Sequence, residues 1–320
     1  MTKVIIQIPC YNEESVLGLT LSELPRTLPG VDVVEWLIVN DGSTDGTVAV
    51  AREYGVDHIV EFPRNKGLAA AFMAGLDAAL EAGADIIVNT DADNQYPAAD
   101  IGKLIEPIVA GQAEIVVGAR PIGEVAHFSA TKKLLQKLGS WVVRVVSNTD
   151  IPDAPSGFRA ISRDAAMRLN VFNDYTYTLE TIIQAGQKGI PITWVAVGIN
   201  ADQRPSRLVK SIPSYLMRSI SVILRIFMIY RPLRFFLTLG SIAFGIGFLL
   251  GLRWAILVYL FPDPTRTYLP SLILAAILLI VGVQTWLFGF IADLQAANRT
   301  LLEEVRLRLR RAELERRAKD

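Results

Sequence analysis

The densest cluster of reactive side chains is Asn89-Thr90-Asp91-Ala92-Asp93-Asn94-Gln95, directly behind the apolar run Ile86-Ile87-Val88. Two carboxylates two positions apart on an extended or turning segment can converge on one hard cation, and Gln95 offers a further oxygen. Mg2+ and Mn2+ take few protein oxygens and let a substrate diphosphate complete the octahedron. A lone D-x-D is common in solvated acidic loops; here a buried strand precedes it. The expected metal ligands are therefore Asp91, Asp93 and Gln95, with Mg2+ or Mn2+ as cofactor. Other chemistries are thinly represented. Cys10 is the single cysteine, which excludes an internal disulfide and a cysteine-rich metal site. His58 and His127 lie far apart and read as packing or surface residues.

Positioning such a pair is the work of the elements around it. Up to about Val197 short β-branched runs alternate with longer helical stretches. Strands are expected at Val4–Ile8, Val34–Val39, His58–Phe62, Ile86–Thr90, Glu114–Gly118 and Ile192–Val197. Helices are expected at Glu14–Leu24, Thr47–Tyr54, Leu68–Ala82 and Ala98–Ala110. This order predicts an α/β fold, a mostly parallel sheet with helices on both faces. Ligands of such sheets gather at the carboxyl ends of the strands. Asn12-Glu13, Asn40-Asp41-Gly42-Ser43 and Asp91-Ala92-Asp93 all follow strands, so they share one edge. A dinucleotide-binding oxidoreductase would place G-x-G-x-x-G after the first strand. Pro9-Cys10-Tyr11-Asn12-Glu13-Glu14 stands there instead, without a glycine, and excludes it.

Beyond Val197 the composition changes. The chain of 320 residues has zero formal net charge, but acidic residues dominate the first hundred positions and basic ones cluster from Arg204 onward. That asymmetry argues against nucleic acid and fits anionic lipid headgroups. A hydrophobic content of 51% and a mean hydropathy of +0.35 point the same way. Residues 235–259 form an apolar stretch about 37 Å long as a helix, enough to cross a hydrocarbon core with tilt. Arg253 lies near its outer end and can snorkel. A proline-marked turn at 261–267 leads to a second span at 268–292, within a hairpin covering 235–294. Arg204, Arg207, Lys210, Arg218, Arg225, Arg231 and Arg234 precede the first span; Arg299, Arg306, Arg308, Arg310 and Arg311 follow the second. Only Arg266 marks the tip, so the positive-inside rule places the catalytic domain and both termini in the cytoplasm. No signal peptide is expected. The localisation expected is integral membrane, the plasma membrane in a prokaryote.

Residues 1–210 would thus be the catalytic domain and 211–234 an interfacial amphipathic helix, with Ile212, Tyr215, Leu216, Ile220, Ile223, Leu224 and Phe227 on its apolar face. Residues 295–320 read as a charged cytoplasmic helix, where Leu302, Val305, Leu309 and Ala312 form a heptad-like stripe that could pair subunits into a homo-oligomer. Pro121–Ser140, with Lys132, Lys133 and Lys137, reads either as a mobile acceptor-side element or as a plain surface helix.

Six motifs carry a resemblance. Ile8-Pro9-Cys10-Tyr11-Asn12-Glu13-Glu14 resembles the opening I-P-x-Y-N-E-E of family 2 glycosyltransferases with the GT-A fold. Asn40-Asp41-Gly42-Ser43-Thr44-Asp45-Gly46-Thr47 resembles their D-D-G-S-x-D-x-T, with Asn40 in place of the frequent first aspartate. Asn65-Lys66-Gly67-Leu68-Ala69-Ala70-Ala71 is similar to N-x-G-x-x-x-A, and Asp91-Ala92-Asp93-Asn94-Gln95 to D-A-D-x-Q. Gly118-Ala119-Arg120 and Ser156-Gly157-Phe158-Arg159-Ala160 resemble the G-x-R and S-G-F-R elements of dolichol-phosphate mannose synthases and related polyprenyl-phosphate glycosyltransferases. Arg204-Pro205-Ser206-Arg207-Leu208 departs from the usual R-x-x-G-x-S-K-L.

The resemblance implies a nucleotide-sugar donor bound by Pro9, Tyr11, Glu13, Asn40, Asp41, Lys66, Gly67, Asp91, Ala92 and Asp93. It implies a polyprenyl phosphate acceptor held by Arg120, Ser156, Arg159, Arg204 and Arg207, with Asp91, Asp93, Arg120 and Arg159 as the catalytic set. The implied reaction is metal-dependent, inverting hexosyl transfer from GDP-mannose or a UDP-sugar at the cytoplasmic membrane face. Two rivals remain: a membrane-bound family 2 enzyme acting on a polysaccharide or other glycan, and a non-catalytic lipid-binding adaptor. A processive synthase would show Q-x-x-R-W and more spans; an adaptor would not need Asp91, Asp93 and Gln95.

Overall fold

The computed structural model describes residues 1–121, 140–141, 143–145, 147–171, 177–200, 224–225, 228–261 and 268–317. Arg204, Arg207, nearly all of the 121–140 segment, most of the expected interfacial helix and the 262–267 turn lie outside these residues.

The chain divides into two compact units, 1–220 with 305–320, and 221–304. In the first, a seven-stranded sheet runs in the order β3-β2-β1-β4-β6-β5-β7. Its strands are β1 (Lys3–Cys10), β2 (Val33–Asn40), β3 (His58–Glu61), β4 (Ile86–Asn89), β5 (Ile115–Ala119), β6 (Arg159–Ser162) and β7 (Ile192–Ala196). The pairs β1–β2, β1–β4, β2–β3 and β5–β7 are parallel, whereas β6 runs antiparallel to both β4 and β5. This one reversed strand is absent from the expected layout. Its residues, Arg-Ala-Ile-Ser, are too few and too polar at their ends to show a period. Its reversal carries Arg159 into register opposite Asn89.

Central strands of a two-faced sheet read as continuous apolar runs, and β1 is buried from Val4 to Cys10. On one face Val4, Ile6 and Ile8 pack with Leu17 and Leu21 of α1 (Glu14–Glu23) and with Ile101 and Leu104 of α4 (Ile101–Val109). On the other, Gln7 and Val39 approach Gly75 of α3 (Leu68–Glu81) so closely that a methyl there would stand 2.3 Å from Gln7 Oε1. The remaining helices of the unit are α2 (Thr47–Glu53), α5 (Arg163–Arg168) and α6 (Thr178–Gln187). His58 takes the expected packing role, with Nε2 2.6 Å from the Glu35 carboxylate on the neighbouring strand.

The second unit holds α7 (Pro232–Tyr259) and most of α8 (Leu269–Arg317), both long and apolar enough to cross a membrane. The two pack through small residues. A methyl on Gly240 would lie 2.5 Å from Trp286, and one on Gly282 would lie 2.8 Å from Phe244 Cβ. Such close backbone approach is how helices associate where lipid removes the hydrophobic drive between them. Ile242, Ile246, Leu249, Leu274, Ile277 and Phe288 face outward, exposed. The expected division between a second span and a charged tail helix is not a break: α8 is one helix of 49 residues. Its C-terminal turns belong to the first unit, where Arg310 pairs with Asp77 of α3 and Arg311 lies 3.6 Å from Asp164 of α5.

Candidate active site

Parallel β1, β2 and β4 end on one sheet edge, and the loops that follow them are laced together. The Asn12 N–H donates to Ser43 Oγ at 2.9 Å, while Asn12 Oδ1 accepts from the Thr44 N–H at 2.9 Å. Asn12 itself sits at φ 54, a left-handed conformation that asparagine tolerates. Asn40 Oδ1 accepts from the Ser43 N–H at 3.0 Å. Both oxygens of Asp41 are engaged by the backbone at the head of α3, Lys66 N–H at 2.7 Å and Gly67 N–H at 2.9 Å. Gly42, at φ 70, lies so near Arg64 that a methyl would fall 2.5 Å from its carbonyl carbon. Pro9, Asn40, Asp41 and Glu13 are buried behind this surface, and Tyr11 is 44% exposed on it. Lys66 is exposed, its Nζ 4.3 Å from the centre of the Phe62 ring.

The carboxylate pair sits differently. The loop after β4 is held from its backbone: Thr20 Oγ1 donates to the Ala92 carbonyl at 2.8 Å, and Asn200 Nδ2 to the Asn94 carbonyl at 3.0 Å. Asp93 Oδ1 accepts from the Gln95 N–H at 3.2 Å. Among the described residues no hydrogen bond or ion pair reaches the Asp91 carboxylate. Desolvation, then the charge of Asp93, pushes it up to about 7, despite the opposing Arg120 and Arg159. Two hard oxygen donors, one of them short of counter-charge, suit a divalent cation that receives its other oxygens from a diphosphate. Among the described residues no cluster of three histidine, cysteine or acidic side chains offers an all-protein cage. Asp91 and Asp93 therefore fit Mg2+ or Mn2+. Gln95 Oε1, expected beside them, accepts from Arg120 Nη1 at 3.1 Å.

Arg120 follows β5 and is clasped by Asp153, with Nε to Oδ2 at 2.7 Å and Nη2 to Oδ1 at 3.1 Å. Burial alone would favour losing its proton; Tyr96 and the paired Asp153 outweigh this, and the guanidinium is held firmly charged. Arg159 has no exposed surface. Its guanidinium donates to the Ser156 carbonyl, to Thr181 Oγ1 and, at 3.2 Å, to the Thr178 carbonyl, while Nε is buried with no hydrogen-bond partner among the described residues. Ser156, also buried, directs Oγ to Tyr96 Oη at 3.4 Å. The structure thus brings Asp91, Asp93, Gln95 and Arg120 together, and places Ser156 and Arg159 behind them.

Residues 5–169 match the profile of glycosyl transferase family 2. The chain belongs to that family. It is 27% identical over 206 residues to polyprenol monophosphomannose synthase of Mycolicibacterium smegmatis, covering 61% of this chain and 76% of that protein. It is 31% identical over 180 residues to UDP-N-acetylglucosamine–dolichyl-phosphate N-acetylglucosaminyltransferase of Methanococcus voltae, covering 51% and 70%. In fold it resembles glucosyl-3-phosphoglycerate synthase from Mycobacterium tuberculosis, crystallised with Mn2+, UDP and glucosyl-3-phosphoglycerate. The TM-score is 0.53 at 20% identity, over 71% of this chain and 79% of that one.

This family 2 glycosyltransferase also uses residues that motif reading passed over. Asp153, fully buried, holds Arg120. Tyr96 stacks on Phe158 with centroids 4.9 Å apart and lies under the Arg120 guanidinium. Gln7 Nε2 donates to Asn89 Oδ1 at 2.9 Å, and Asn89 Nδ2 donates to Tyr177 Oη at 2.8 Å. A glutamine and an asparagine inside buried strands must find partners, so the pair Gln7–Asn89 was a readable signal. Nothing near Tyr177 in the chain announces it.

Proposed function

We propose that this glycosyltransferase moves a hexose from a nucleotide-diphospho-sugar to a polyprenyl phosphate at the cytoplasmic face of a membrane, with inversion at the anomeric carbon. The observation that carries the reading is the Asp91 carboxylate beside Asp93, which accepts no hydrogen bond among the described residues, in a chain that continues into two long apolar helices. Bound by Asp91 and Asp93, Mg2+ or Mn2+ would neutralise charge building on the departing nucleotide diphosphate.

The chain's own residues account for the rest. Tyr11 offers an exposed ring to the base, on a loop that Ser43 and Thr44 keep rigid. A phosphate monoester, with a second pKa near 6, is already largely dianionic at neutral pH and needs no strong base. That suits a site whose described residues include no histidine. Arg120 keeps N–H groups on both terminal nitrogens beyond those given to Asp153 and Gln95, and their planar fork matches phosphate oxygens. Arg204 and Arg207 are proposed as further phosphate ligands. The arginines flanking the apolar helices support a cytoplasmic side for both termini.

The test is to incubate the full chain in lipid nanodiscs with radiolabelled GDP-mannose, UDP-glucose and UDP-N-acetylglucosamine, with and without polyprenyl phosphate. Label entering the organic phase only when the lipid phosphate is present supports the proposal. Label in an aqueous glycan, or nucleotide release indifferent to the lipid, overturns the acceptor.

A further inference from the structure

Asp91 accepts no hydrogen bond among the described residues, so its placement depends on what packs against it. That is the backbone of Gly157. A methyl built there would stand 3.0 Å from each Asp91 oxygen and 2.9 Å from Tyr177 Oη. The Gly157 carbonyl is held in turn by Asn89 Nδ2 at 2.9 Å and faces Tyr177 Oη at 3.4 Å. Tyr177 is fully buried, stacked on Phe72 of α3 with centroids 3.8 Å apart and an interplanar angle of 5°. Its hydroxyl accepts from Asn89 Nδ2 and donates to the Gly157 carbonyl, so both its hydrogen-bonding roles serve one turn. The Arg159 guanidinium lies 5.3 Å over the same ring and closes the turn from the other side through the Ser156 carbonyl.

We propose that Tyr177 is a positioning residue for the divalent-cation site. Its hydroxyl fixes the Gly157 backbone, and Gly157 sets the line along which the Asp91 carboxylate faces its ligand. The idea rests on the metal reading of Asp91 and Asp93. A carboxylate that gives none of its lone pairs to the described residues keeps them for a cation, but only if packing orients it. Groups behind a ligand that fix its direction are typically worth 10- to 100-fold in metal affinity. The residue that supplies this packing must itself be glycine, because any side chain would enter the carboxylate, and a glycine needs an external brace to hold still.

The test uses the full chain in nanodiscs and measures Mn2+ affinity by electron paramagnetic resonance, with UDP or GDP present. Tyr177→Phe keeps the ring on Phe72 and removes only the hydroxyl. Mn2+ binding weakened about tenfold, with a melting temperature near wild type, supports the proposal. Unchanged Mn2+ affinity in Tyr177→Phe, where wild type binds and Asp91→Asn does not, overturns it and leaves the metal reading standing. No Mn2+ binding by wild type overturns both. Should Tyr177→Phe fail to fold, Asn89→Ser, which takes the donor from the Gly157 carbonyl and the Tyr177 hydroxyl and adds no atom beside Asp91, is read on the same scale: a weakened site supports the brace, and an unchanged one refutes it.

Discussion

The two walls of the site solve opposite problems. On the proposed nucleoside side, the polar groups of Asn12, Asn40, Asp41 and Ser43 are spent on one another's loops. On the proposed reacting side, among the described residues, Asp91 accepts no hydrogen bond, Arg159 has a buried N–H without a partner, and Arg120 is only partly engaged. A wall that satisfies itself is stiff before the ligand arrives and contributes shape. A wall left short of partners is costly to the free protein and waits for charge to be supplied. The first reads a ligand; the second needs one.

The harshest way to break the contrast is to remove its unsatisfied half. Asp91→Asn or Asp93→Asn should lower turnover by at least about a hundredfold, the scale of losing one stabiliser of developing charge. Activity above a tenth of wild type in purified protein would refute the role. Arg120→Ala attacks the half-satisfied member. It takes from Asp153, wholly buried, the guanidinium held at 2.7 and 3.1 Å. The expected cost is about 3–5 kcal/mol of stability, read from denaturant unfolding of the first unit's fluorescence. A loss of turnover with no loss of stability would mean that Asp153 is satisfied elsewhere.

How far this contrast could be read in advance follows the same division. Asp91 and Asp93 announce themselves because the chemistry and the strand before them are both local in sequence. Six of the seven strands show a period or an apolar run of their own. β6 does not, and with it went the position of Arg159: a motif names the arginine, but only the reversed strand makes it internal. The bonds of Asp41 to residues 66 and 67 join two loops that are separate motifs in the chain. Tyr177 acts on Asn89 from 88 positions away. The continuity of α8 was hidden by composition, since both its apolar and its charged halves are good helix formers and nothing between them breaks a helix.

Loosening the self-satisfied wall should cost less and in a different currency. Asp41→Ala strips the Lys66 and Gly67 N–H groups of their acceptor, a change of about 1–3 kcal/mol. The donor KM should rise while kcat at saturating donor stays within a few fold, because the reacting wall is untouched. Asp41→Asn, which keeps one acceptor oxygen, should fall between. If kcat drops and KM holds, Asp41 acts on the reaction itself and the division into two walls fails.

The gentlest probe is pH. Asp91 stands at about 7 in the folded protein, above its ordinary 3.8. Between those values the folded chain holds a proton that the unfolded chain has released. Metal-free stability should therefore fall as pH rises from about 4 to 7, and level off above. A divalent ion must displace that proton, so its apparent affinity should climb about tenfold per unit below 7 and flatten beyond it. UDP-glucose or GDP-mannose is the right companion ligand, because a diphosphate diester does not titrate in this window. Mn2+-induced shifts in melting temperature at pH 5.5, 6.5 and 7.5 would show the slope. A flat response would mean that Asp91 is already ionised in the free enzyme. The reacting wall would then be as self-sufficient as the other.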